Sequence, residues 1–385
     1  MAAAARLRCL VRPLAPALAR TASSTSAVRQ PHAALAVHKA LCSVQPFGRV
    51  RAFSASSQTP DEQQTVAVVG FGLIGRSWAI LFARAGYKVN CFDARPLDPE
   101  KTVQMLEESC KDLEKQDLLN GQSVDEVVSR CVVAPDLASA LSGAQYCQES
   151  IFEDAEVKRK FYLELGKVAP PDCILGSSTS CIDPKEFSEG MGDSRRQVLV
   201  AHPVSPPHLI PLVELLPAPW TDPAIVAKAR TLLKGIGQAP IVLNKPVFGF
   251  ALNRLQWILL AEAVILVQEG VISSDDIDTV IESGLGLRWA FMGPFEVGDC
   301  NGPAGVGDYF KAFGDSITRI AQESRDGPMP DIEMCKATVD KVWRARLPTK
   351  DDLDKKRFWR DRQLAALGKH KVAMASKDPR PHLQA

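Results

Sequence analysis

Three glycines and one acid form the first constellation that could do chemistry. Gly70, Gly72 and Gly75 follow an apolar run at residues 66–69, and Asp93 closes the next apolar run 23 residues after Gly70. Each glycine has its own task. Gly70 permits a tight turn, Gly72 lets a pyrophosphate approach the backbone, and Gly75 lets the following helix pack on a sheet. Leu73 and Ile74, the first residues of that helix, add backbone N–H groups and the positive end of the helix dipole. Asp93 can accept hydrogen bonds from both hydroxyls of an adenosine ribose and would repel a 2′-phosphate. The expected ligand is therefore NAD rather than NADP, with Arg95 close enough to soften that preference. A lone glycine triplet is a weak signal, but here the flanking strands, the helix and the terminal acid are all present.

A bound nicotinamide cofactor requires a group that removes or returns a hydroxyl proton as hydride moves, and histidine titrates in the right range. Beyond residue 60 the histidines are His202, His208, His370 and His382, the last two in a polar C-terminal tail. His202 follows an apolar run at the expected carboxyl edge of a sheet, where ligands bind in open α/β folds. Glu214 follows across a segment that contains four prolines. A carboxylate held against the far ring nitrogen would fix the tautomer and stabilise the imidazolium. From spacing alone such a pair is structural more often than catalytic, and His208 competes for the same role.

The pattern around these residues supplies the elements that must position them. Short apolar runs at residues 66–69, 131–134, 145–149, 173–176, 197–201, 211–216 and 240–243 alternate with helical segments, including 155–168 and 223–235. This alternation predicts an α/β fold, a Rossmann-type doubly wound sheet with helices on both faces. The charged stretch 97–120 is too polar for a central element and is expected as a helical arm or hairpin on the surface. From Phe250 onward every segment has helical periodicity, beginning with 252–269 and ending with 351–367. The expected domains are a presequence at 1–60, an NAD-binding Rossmann domain at 61–247 and an all-helical substrate and dimerisation domain at 248–385.

The formal net charge of +1 argues against a nucleic-acid partner but hides an asymmetry. Residues 1–60 hold no acid and eight of the 46 basic residues, leaving 38 bases against 45 acids in the rest. A segment rich in Ala, Arg and Ser and lacking acids has the composition of a mitochondrial presequence, so the expected location is the matrix. No apolar run reaches the roughly 18 residues of a membrane span. The ten cysteines show no paired spacing and no cluster with histidine, so reduced thiols and no metal site are expected.

The glycine-rich start, the Ser177-Ser-Thr-Ser180 cluster, the segment from His202 to Glu214, the helix start at Phe250-Ala-Leu-Asn253 and the segment 284–296 occur together in a recognisable order. That order resembles the 3-hydroxyacyl-CoA dehydrogenase superfamily, most closely its lambda-crystallin and L-gulonate 3-dehydrogenase branch. The likeness covers about residues 65–365. It implies that His202 is the catalytic base, that Glu214 orients it, and that Ser180 and Asn253 hydrogen-bond the substrate oxygen. It also implies that Glu153 and Lys158 border the cofactor. Arg288 stands where a substrate carboxylate could be held, an assignment resting on position and charge. Two departures are Ser178 and Ser205, where the acyl-CoA enzymes carry asparagine.

The reaction implied by this resemblance is NAD-dependent oxidation of the 3-hydroxyl of a small hydroxy acid such as L-gulonate or carnitine. A 3-hydroxyacyl-CoA is the alternative substrate, and a non-catalytic dinucleotide-binding structural protein is the alternative of another class. The acidic run 107–114 makes a poor cradle for CoA phosphates and favours the small acid. The apolar helices after residue 250 exceed what a small domain can bury, and the family pairs through this region, so a homodimer is expected.

Overall fold

The computed structural model describes residues 64–375. The expected presequence, Cys9, Cys42 and His382 lie outside the described residues. One eight-stranded sheet has the order β3-β2-β1-β4-β5-β6-β7-β8. Its strands are β1 (Thr65–Val69), β2 (Lys88–Phe92), β3 (Cys131–Val133), β4 (Ala144–Glu149), β5 (Ile174–Ser177), β6 (Val198–Pro203), β7 (Leu212–Pro217) and β8 (Ala239–Val242). Neighbouring strands are parallel except β6 and β7, which run antiparallel. Helices of 12 residues or more are α1 (Leu73–Arg84), α2 (Pro99–Lys115), α3 (Ala155–Val168), α4 (Pro223–Gly235), α5 (Leu252–Gln268), α6 (Val306–Asp326) and α7 (Lys350–Ala375).

The two-residue period of β1 explains why the sheet is covered on both sides. Val66 and Val68 enter one apolar cluster, while Ala67 and Val69 enter the other. Alternate side chains on a strand point to opposite faces, and a continuous apolar run marks a strand buried on both. On the first face, Trp78 and Phe82 of α1 stack with ring centroids 5.6 Å apart, beside Ile225, Ala229 and Leu233 of α4. On the second, α3 contributes Tyr162 and Leu165. The expected Rossmann-type sheet is therefore present. Its strand order reverses between β1 and β4, which opens a crevice at their carboxyl ends.

Two elements add to the expectation. The charged stretch is a surface helix, as expected, and it is docked on the domain. Asp98 caps α2 by accepting from the N–H groups of Glu100 and Lys101, and Leu106, Cys110 and Leu113 sink into the first apolar cluster. Its charges made the helix look free, but one narrow apolar stripe suffices to dock it. The C-terminal tail is also helical, because α7 continues to Ala375 and brings the His370 ring edge-on to Phe291 at 6.0 Å.

The helices after residue 250 bury far less. On α5 only Asn253 and Val264 are buried, while Leu255, Ile258 and Leu260 are at least 60 % exposed. Phe295, Phe310, Ile320 and Trp359 are exposed on later helices. Among the described residues no helix is long and apolar enough to cross a membrane.

Candidate active site

The glycine loop joins β1 to α1 at the switch point. Gly70 has a φ of +85°, and a Cβ there would lie 2.6 Å from the carbonyl carbon of Ser150. A Cβ on Gly75 would lie 1.9 Å from the Gly70 carbonyl oxygen. These two glycines are dictated by the chain's own close approach. Gly72 is different, because a Cβ there would meet nothing within 4 Å. Its bare backbone faces open space, and no side chain caps the α1 N-terminus, where Leu73 is exposed. The first-turn N–H groups are thus available to a phosphate. At the end of β2, Asp93 accepts from the N–H groups of Phe71 at 2.8 Å and Arg95 at 2.9 Å. The Arg95 guanidinium turns back to within 3.6 Å of the same carboxylate instead of waiting for a 2′-phosphate. The residues present fit NAD.

The carboxyl ends of β4 and β5 hold a polar network with a buried centre. Glu149 is fully buried and accepts from Lys158 Nζ at 2.7 Å, the Ser177 hydroxyl at 2.6 Å, the Tyr162 hydroxyl at 3.4 Å and the Ile151 N–H at 2.7 Å. Lys158 is also buried, with its Nζ 3.7 Å from Glu153. Sequence reasoning named Glu153 and Lys158 but missed Glu149, the closer partner. A charged residue closing the strand AQYCQE was the available signal.

Glu153 is tied to the serine cluster. Its Oε1 accepts from the Ser180 N–H at 2.7 Å, the Thr179 hydroxyl at 2.8 Å and the Ser180 hydroxyl at 3.0 Å. Burial pushes its pKa up, but these donors and the Lys158 charge outweigh that and hold it below the usual range. The Asn253 amide donates to the Ser180 carbonyl at 3.1 Å. Ser180, Asn253 and Glu153 are therefore linked. The Ser180 hydrogen points at Glu153 rather than outward, whereas the second contact of the Asn253 amide nitrogen is only to Cys181 Sγ, a weak acceptor, at 4.0 Å.

His202 and Glu214 are direct cross-strand partners in the β6–β7 ladder, so the twelve positions that separate them in sequence vanish as a spatial separation. Nδ1 of His202 stands 2.9 Å from Oε2 of Glu214. The other oxygen of Glu214 accepts from the N–H groups of Ala251 and Leu252, both at 2.9 Å. It thus caps the start of α5, which has no cap from its own side chains. Burial raises the Glu214 pKa, but the ring and the two N–H groups prevail and leave it lowered. His202 itself is 7 % exposed, and its Nε2 has no partner among the described residues.

His208 does not join this pair. Its Nδ1 is buried without a partner, its carbonyl accepts from Arg84, and burial together with the Arg84 and Arg360 charges pushes its pKa down to about 4. Arg288 stands exposed on the short helix Gly286–Trp289, and no hydrogen bond or ion pair ties it to the cluster.

Two family models match along the chain. The family described as 3-hydroxyacyl-CoA dehydrogenase, NAD binding domain, matches residues 65–246. The family described as 3-hydroxyacyl-CoA dehydrogenase, C-terminal domain, matches residues 249–347. The chain is 42 % identical over 311 residues to the lambda-crystallin homolog of Bos taurus, covering 80 % of this chain and 95 % of that one. It is 34 % identical over 253 residues to the L-carnitine dehydrogenase of Oceanobacillus iheyensis, covering 66 % and 81 %. A crystal structure of 5-formyl-3-hydroxy-2-methylpyridine 4-carboxylic acid 5-dehydrogenase, an NAD+-dependent dismutase, superposes with a TM-score of 0.66 at 26 % identity, covering 81 % and 98 %.

Proposed function

The chain belongs to the 3-hydroxyacyl-CoA dehydrogenase family and is an NAD-dependent oxidoreductase acting on a CH–OH group; from that premise we propose that it oxidises the 3-hydroxyl of a small hydroxy acid, with His202 as the base. The observation that carries this reading is the His202–Glu214 contact at 2.9 Å, with Nε2 left open to a substrate hydroxyl. NAD when bound supplies the hydride acceptor. Glu214 holds Nδ1 as a donor, which keeps Nε2 unprotonated and able to take the hydroxyl proton. As positive charge builds on the ring, the adjacent carboxylate stabilises it. The Asn253 amide exchanges its weak contact with Cys181 Sγ for the carbonyl oxygen that forms, and donates to it. Ser180, its own hydrogen committed to Glu153, keeps the loop in place beneath that oxygen.

Preference for a small acid over an acyl-CoA is supported by α2. Lys101, Lys111 and Lys115 are each paired with an acid of the same segment, at 3.4, 3.4 and 3.6 Å. With five acids against three lysines over residues 99–115, α2 presents no net positive charge to CoA phosphates. The L-carnitine dehydrogenase relative adds support from a protein named for a small substrate. Initial rates of NADH formation from L-gulonate, L-carnitine and 3-hydroxybutyryl-CoA, measured side by side, test the reading. Faster turnover of the CoA ester at equal concentration would reverse it.

Two further parts belong to the proposal. The exposed apolar face of α5 and the later helices closes against a second copy of the chain, and light scattering that returns a monomer at micromolar concentration would refute this. Residues 1–60 direct the protein to the mitochondrial matrix, and a diffuse cytosolic signal from a fluorescent fusion to that segment would refute that.

A further inference from the structure

Between the glycine loop and His202 lies a hydrogen-bond chain that no sequence motif announces. Gln148 is fully buried on β4. Its Nε2 donates to the Ala201 carbonyl at 3.2 Å and to the Ser178 hydroxyl at 2.7 Å, while its Oε1 accepts from the Tyr146 hydroxyl at 2.6 Å. A backbone carbonyl can only accept, so the Ala201 contact fixes which end of the amide faces which partner. Gln148 therefore gives Ser178 a donor and offers it no acceptor. The Ser178 hydroxyl in turn lies 2.8 Å from that of Ser150.

The two serine hydroxyls carry two hydrogens, and the bond between them absorbs one, whichever serine donates it. Neither hydroxyl has another acceptor among the described residues. One hydrogen is left over, on a pair that is only half-buried.

Position says what the hydrogen meets. Along the sheet edge the order is Asp93 after β2, Gly70 after β1, Ser150 after β4, Ser178 after β5 and His202 on β6. A dinucleotide with its adenosine ribose at Asp93 and its pyrophosphate at the glycine loop lays its other half across β4 and β5. Ser150 touches the loop itself, because its backbone blocks any side chain at Gly70. We propose that Ser150 and Ser178 form a two-hydroxyl donor, oriented by Gln148, that hydrogen-bonds an acceptor on the nicotinamide half of NAD. Ser178, where the acyl-CoA enzymes carry asparagine, thus keeps a donor at this place through a partnership with Ser150.

The inference rests on the cofactor reading and not on the His202 base or the choice of substrate. It is tested by binding alone, using dissociation constants of the full chain for NADH and for ADP, which lacks the nicotinamide half. The double variant Ser150→Ala with Ser178→Ala is expected to bind NADH about tenfold more weakly, the loss typical of one hydrogen bond, with ADP unchanged. Unchanged NADH affinity, or equal losses for both ligands, would overturn the proposal. Should the double variant not fold, Ser150→Cys with Ser178→Cys, near in shape but weak donors, is expected to lose about threefold for NADH alone. No loss in that variant would overturn the proposal equally.

Discussion

The β4–β5 edge and the β6–β7 edge each place a buried glutamate at the mouth of the site, and they use it oppositely. Glu149 meets Lys158, a cation enclosed on every side, and its remaining capacity is taken by Ser177, Tyr162 and the Ile151 N–H. Glu214 meets an imidazole that keeps one nitrogen open. The first arrangement is static because neither charge can be released without stranding the other in the protein interior. The second can cycle because the ring can take a proton while its partner stays ionised. Under the proposed function, the same residue type, equally buried, serves as a strut in one place and beside a proton-handling ring in the other, according to its partner.

The largest test of this contrast is at His202. His202→Gln is expected to lower kcat by roughly 10²–10⁴ while NADH binding and the melting temperature stay near those of the parent. Glu214→Gln should cost about as much, for a geometric reason. The Ala251 and Leu252 N–H groups demand an oxygen, so the new amide turns its NH₂ toward Nδ1. The ring hydrogen then moves to Nε2, and the base is lost with the fold intact, a tautomer error. A kcat within tenfold of the parent for either variant would make the β6–β7 pair structural after all.

On the other edge the expectation reverses. Glu149→Gln leaves Lys158 buried with only the distant Glu153 carboxylate, and should destabilise the chain by about 3–5 kcal/mol in urea unfolding. A loss below about 1 kcal/mol would show that this pair is not a strut.

Acid separates the regions again. His208 is held neutral, with its pKa pushed down to about 4 from an ordinary 6.5, so the unfolded chain takes up a proton that the folded one refuses. Stability should therefore fall as pH drops from 6.5 to about 4, by roughly 3 kcal/mol from this residue, and His208→Gln should abolish that limb. The Glu214 carboxyl is held below its ordinary 4.5, so its stabilising share is complete above that pH and is lost as pH falls through the lowered value. Unfolding curves of the two variants across pH 3–7 would assign each limb. The smallest effect is expected at Ser180, where Ser180→Ala frees Glu153 from one donor and should raise KM about threefold with kcat little changed.

Much of this was legible in the sequence. The glycine turn and the helices at 155–168 and 223–235 follow from local pattern, because periodicity and breakers act within a few residues. The identity of His202 and Glu214 as partners came from the family likeness, since spacing cannot say that two strands run antiparallel. What the sequence withheld is long-range. Glu149 reads as the polar end of a strand until Lys158 is seen folded onto it. Gln148 gives no sign of linking Tyr146 to Ser178 across two strands. The docking of α2 was hidden for a related reason, because three apolar residues among many charges carry little weight in a window average.

The second oxygen of Glu214 has a mechanical meaning. A single carboxylate is bolted both to the imidazole and to the first turn of α5, so any hinge that parted this helix from the sheet would unseat the ring in the same movement. A gaping cleft would be chemically mute. Reactivity would return only when the two halves of the chain met, and no separate latch would be required to stop an empty enzyme from misfiring.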